Sequence, residues 1–65
     1  NPSQGRLTIY AEQQISLVEI TDLSGRTLAV YENQTSFSLP QANGLYFLTV
    51  TFSNGQVVVH KVLKN

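Results

Sequence analysis

Apolar side chains alternate with polar ones along almost the whole chain, and no stretch of about ten residues keeps the i, i+3, i+4 spacing of an amphipathic helix. The pattern predicts an all-β domain. A first strand reads Arg6-Leu7-Thr8-Ile9-Tyr10, with Leu7 and Ile9 on one face. It follows Pro2-Ser3-Gln4-Gly5, a lead-in that the missing proline N–H is expected to keep from joining a ladder smoothly. A second strand spans about Ile15 to Thr21, where Val18 and Ile20 share a face and Glu19 and Thr21 take the other. Ile15 stands off that parity, so a bend or bulge is expected near Ser16.

Asp22-Leu23-Ser24-Gly25 then reverses the chain: the aspartate can accept from the N–H two residues on, and Gly25 is free to take positive φ. The third strand is Arg26-Thr27-Leu28-Ala29-Val30-Tyr31, in which Leu28 and Val30 alternate with Thr27, Ala29 and Tyr31. After the polar break Glu32-Asn33-Gln34, a fourth strand from Thr35 to Leu39 turns Phe37 and Leu39 inward, and Pro40 ends it for want of an N–H. Gln41-Ala42-Asn43-Gly44 leads into the longest strand, Leu45 to Phe52, with Tyr46, Leu48, Val50 and Phe52 on one face; it is expected at the centre of the domain. Ser53-Asn54-Gly55 is the strongest hairpin signal, because Asn-Gly populates the left-handed conformations that tight turns require.

The last strand runs from Gln56 to about Lys64. A two-residue turn would set Val57, Val59, Lys61 and Leu63 beside Leu48 and Val50; a three-residue turn with a bulge would set Val58, His60 and Val62 there. Apolar side chains occur on both of its faces, as in a strand that is covered on both sides or pressed against another domain. Six to seven short strands separated by turn signals predict a small immunoglobulin-like antiparallel β-sandwich occupying residues 1–65 as one domain.

Composition narrows the function. Hydrophobic residues make up 42% and charged residues 12%, too apolar for a disordered tail. Four basic and four acidic residues cancel, so no field gathers phosphates and nucleic acid is not expected as a partner. The chain has no run of the length that spans a bilayer and no N-terminal signal pattern. It starts at Asn1 without a methionine, the expectation being a piece cut from something longer. With no cysteine and one histidine, neither a disulfide staple nor a zinc site can be assembled, and Asp22-Leu23-Ser24-Gly25 lacks the alternating acids of a calcium loop; no metal or cofactor is expected. His60 reads as an ordinary strand residue without a nucleophile elbow, and Glu12, Glu19, Asp22 and Glu32 as solvated strand ends and turns. No enzymatic chemistry is expected.

What remains is a surface. Phe47, Val57 or Val58, and Leu63 cannot all be buried on one inner face, so the last two strands should expose an apolar strip with Lys61 and Lys64 at its basic end. Such a strand offers a partner main-chain hydrogen bonds, side-chain pockets and a charge together, and could pair with a second copy to form a homodimer.

Asn1-Pro2, Gly5 to Ile9, Val18 to Leu28 with its Asp22 and Gly25-Arg26, Gly44 to Phe47, and Lys61 to Lys64 together resemble the C-terminal sorting domain of the type IX (Por) secretion system. The resemblance covers essentially the whole chain, with two departures: the aromatic and proline that often precede the Asn-Pro are absent, and Pro40 stands further from Gly44 than in the shorter Pro-x-Gly of many members. It implies a non-catalytic secretion signal in a Bacteroidetes-type bacterium, carried behind an N-terminal cargo domain and bringing it across the outer membrane to the cell surface or the medium. It further implies recognition by the type IX translocon and removal by a sortase-like peptidase. Gly44 and Tyr46 correspond to the family's Gly-x-Tyr, and Lys61 to its basic residue near the end. Translocon recognition is accordingly expected at Lys61, Val62, Leu63, Lys64 and Asn65. Gly25, Gly44, Tyr46, Asn54 and Gly55 are expected to act as structural motif residues, with Tyr46 a corner residue bonding back to the backbone. The alternative is an immunoglobulin- or fibronectin-like spacer or binding module of a surface protein; a third reading is an inhibitor-like enzyme partner.

Overall fold

In the computed structural model, which describes residues 2–3, 5–40 and 42–64, the alternating pattern forms seven strands. They are β1 (Pro2–Ser3), β2 (Arg6–Thr8), β3 (Ile15–Thr21), β4 (Thr27–Glu32), β5 (Ser36–Ser38), β6 (Gly44–Phe52) and β7 (Val57–Lys64). Asn1, Gln4, Gln41 and Asn65 lie outside the described residues. A five-stranded sheet in the order β1-β7-β6-β3-β4 faces a two-stranded sheet of β2 and β5. The all-β sandwich is thus as expected, and β6 is the central strand of the larger sheet. One ladder departs from the antiparallel expectation: β1 pairs with β7 in parallel, Pro2 opposite Leu63 and Ser3 opposite Lys64. Proline is tolerated there because β1 is an edge strand, on which a missing donor breaks no second ladder.

Val18, Ile20, Leu48 and Val50 are essentially sealed from solvent on the inner face of the large sheet. Phe37 and Leu39 close the core from the other layer, while Leu7, Ile9, Ala29, Tyr31 and Phe52 pack around it. Ser16 is the extra residue of a bulge, since Ile15 pairs with Phe52 and Leu17 with Thr51. The bulge restores Ile15 to the inner face despite its parity. In β4 the outward set is Leu28 and Val30, which are 38% and 51% exposed. Pairing decides this: Ala29 lies opposite Ile20 and Tyr31 opposite Val18, both committed to the core. Tyr31 stacks on Phe37 with centroids 5.2 Å apart and donates its hydroxyl to the Ser38 carbonyl at 3.0 Å, tying the two layers together.

The last hairpin adopts the three-residue turn. Val50 faces Val58, Leu48 faces His60 and Tyr46 faces Val62. The Gly55 N–H donates to the Phe52 carbonyl at 2.9 Å and the Phe52 N–H to the Gln56 carbonyl at 2.8 Å, with Gly55 at φ +92°. Asn54 is not itself left-handed, contrary to expectation; Asn33 is the non-glycine residue with positive φ among the described residues. Asn54 serves instead through its side chain, whose Oδ1 accepts from the Gln56 N–H at 2.9 Å.

Candidate functional site

Strand β7 carries the expected recognition segment, and its alternation divides that segment between core and surface. Val62 is 6% exposed and held against Tyr46, so it belongs to the core. Lys61 and Leu63 point to the opposite face and are exposed, in one row with Val57 and Val59, which are 54% and 59% exposed. Lys64 is half-buried opposite Gly44, and Asn65 lies outside the described residues. The second sheet covers the inner face alone. On the outer face the β7 row continues into Leu45, Phe47, Thr49 and Thr51 of β6, which are half-buried, and into Leu17 and Glu19 of β3. The face thus combines apolar valine, leucine and phenylalanine side chains with Thr49, Thr51, Lys61 and Glu19.

The motif residues shape this surface from behind. Gly44 opens β6 at φ +147°, and Tyr46, 5% exposed, donates its hydroxyl back to the Ala42 carbonyl at 2.5 Å. That bond anchors the loop leading into β6, as expected of a corner residue. At the β3–β4 turn the Gly25 N–H donates to the Asp22 carbonyl at 3.0 Å with Gly25 at φ +89°. The Asp22 carboxylate accepts from the Ser24 hydroxyl at 2.6 Å, the Ser24 N–H at 2.9 Å and the Arg26 N–H at 3.1 Å. The Arg26 guanidinium stands 3.3 Å from its second oxygen.

These contacts, the Ser24 hydroxyl foremost and the Arg26 and Ser24 N–H groups and Arg26 charge behind it, hold the Asp22 carboxyl below its ordinary range against an opposing desolvation. A carboxyl lowered in the folded state contributes stability above its unfolded pKa and loses it as pH falls through the folded one. Thermal unfolding followed from pH 6 downward should therefore show a loss of stability in the acid range below about pH 4 that Asp22→Asn reduces. An identical slope in both proteins would remove Asp22 from the account.

No reaction centre is assembled among the described residues. His60 is an exposed strand residue beside a shallow cleft whose other lining residues are Leu7, Thr8, Ile9, Tyr10, Leu48, Lys61 and Val62, none of them a carboxylate. Glu19 is mid-strand rather than at a strand end, and accepts from the Thr27 hydroxyl at 2.6 Å. No cluster of potential metal ligands occurs among the described residues. Sequence reasoning missed Tyr31 as the tie between layers and the parallel docking of Pro2–Ser3; neither has a local signal, because each depends on a strand remote in sequence.

No curated protein and no solved structure matches the chain. The family model described as the secretion system C-terminal sorting domain matches residues 1–65. The chain therefore belongs to the C-terminal sorting domains of the type IX secretion system, non-catalytic signals that send their cargo across the outer membrane to the surface or beyond.

Proposed function

We propose that residues 1–65 act as one sorting domain and that the type IX translocon reads it through the end of β7, Lys61 to Asn65. A sortase-like peptidase then separates it from the N-terminal cargo domain. The observation that carries this reading is the row Val57, Val59, Lys61 and Leu63, exposed on a sheet face that the second layer does not cover. Apolar side chains there supply area for a partner's pockets and Lys61 supplies a charge that selects an acidic counterpart. Val62 contributes indirectly, fastening the segment to Tyr46 so that its neighbours are presented in a fixed direction. Gly25, Gly44, Tyr46, Asn54 and Gly55 act in the same way, by shaping turns rather than by contact.

The test is Lys61→Ala with Lys64→Ala in a cargo fusion expressed in a type IX bacterium, with periplasmic and surface cargo measured separately. Surface delivery should fall severalfold, and Lys61→Ala alone, at the exposed position, should lower delivery too while shifting the stability of the purified domain by no more than about 0.5 kcal/mol. Wild-type delivery by the double variant would overturn recognition through the tail.

A further inference from the structure

Both sides of the large sheet have open backbone among the described residues: β4 has no strand beyond it, and β7 is covered only where β1 lies. Strand β7 has β6 along its whole length on one side, Thr51 opposite Val57 through to Gly44 opposite Lys64, without a bulge. On its other side β1 covers only Leu63 and Lys64. From Val57 to Val62 the outer edge has no strand beside it among the described residues. The stretch begins with three consecutive valines and contains no proline; Lys61 guards one end, and the Val57–Val59 run is of the kind that natural sheets cover rather than leave open.

We infer that the segment joining this domain to its cargo extends β1 upstream and pairs in parallel with the open edge of β7, from Val62 back to Val57. Direction and register both follow from the pairing already in place. Because β1 runs parallel to β7, a strand continued upstream of Pro2 in the same direction would lie alongside Val62 and run on toward Val57. About six residues at roughly 3.3 Å each match the length of the uncovered edge. The segment is tethered at Pro2, so it competes for this edge at an effective concentration that no free strand matches. A second copy or an unrelated strand would have to displace it. The inference rests on the sorting-domain reading only in that a cargo precedes the domain. It also separates two uses of β7: its edge holds the linker through main-chain hydrogen bonds, and its outer face remains open to the translocon.

The full-length cargo protein, produced in a host without type IX machinery so that the domain stays attached, allows a direct test. The register that sets Pro2 opposite Leu63 sets the third residue upstream of Asn1 opposite Val59. Neighbouring strands place such Cα atoms within the range of about 4.4–6.8 Å that a disulfide spans. A cysteine at that upstream position should link to Val59→Cys under mild oxidation, identified by the mass of the joined peptides. The same upstream cysteine should remain unlinked to Val30→Cys on the opposite edge. Both substitutions fall on exposed side chains, so folding is preserved. In parallel, amide exchange at residues 57–62 should be at least about tenfold slower than when the upstream segment is replaced by a Gly-Ser linker. Equal linkage at Val59 and Val30, unchanged exchange, or dimers from Val59→Cys alone would each overturn the inference. None of these readouts depends on export, so a failure of the sorting reading would appear separately.

Discussion

Leu48→Ala is expected to leave the domain largely unfolded at room temperature. Leu48 is 2% exposed at the middle of the central strand, opposite Ile20, which is fully buried. Removing a buried leucine side chain costs about 2–5 kcal/mol through lost transfer energy and the cavity left behind. A core of this size, without disulfide or metal, supplies only about 3–5 kcal/mol. The loss therefore equals most or all of the reserve. Adjacent Thr49 provides the internal control: it faces outward opposite Glu19 and Val59, and Thr49→Ala should cost no more than about 1 kcal/mol. Circular dichroism and urea unfolding of the two variants measure the contrast. A cooperative Leu48→Ala transition close to that of the wild type would mean that the inner face of the large sheet is not the core.

Gly44→Val is expected to lower stability by about 1–3 kcal/mol for a different reason. A Cβ built on Gly44 meets nothing within 4 Å, so no clash arises; the cost is that of holding a β-branched residue at φ +147°. The distinction can be tested because 65 residues are within reach of chemical synthesis. A D-alanine at position 44 fits positive φ without strain, so it should restore the stability that the L-valine loses. If L-valine and D-alanine destabilise equally, contact rather than backbone conformation governs the site. If neither does, the glycine of Gly-x-Tyr serves recognition.

The placement of Val62 in the core also decides how tail deletions should be interpreted. Removing residues 61–65 takes away a buried side chain and the ladder partners of Gly44 to Phe47. A deletion that abolishes export would report unfolding as readily as lost recognition. The alanine substitution at exposed Lys61 leaves Val62 in place and is the sharper instrument.

Strand positions were legible in the sequence because period-two alternation is local: Ile15–Thr21 was predicted with its observed limits, as was the bulge at Ser16. Turn chemistry is equally local, so the glycines at 25, 44 and 55 and the stop at Pro40 follow from side-chain type alone. The return bond of Tyr46 spans only four residues and belongs with them. Facing and register were different. Alternation in β4 offers Leu28 and Val30 or Ala29 and Tyr31 equally well, and the choice falls to β3, whose Val18 and Ile20 are already committed inward. The last hairpin allowed two registers, and the one that buries Val62 against Tyr46 is selected by packing across the central strand. The parallel docking of Pro2–Ser3 on Leu63–Lys64 joins the two ends of the described chain, a pairing no local pattern encodes. Period and turn type are properties of neighbouring residues, whereas the side of a strand that faces inward is set by the layer that comes to lie over it.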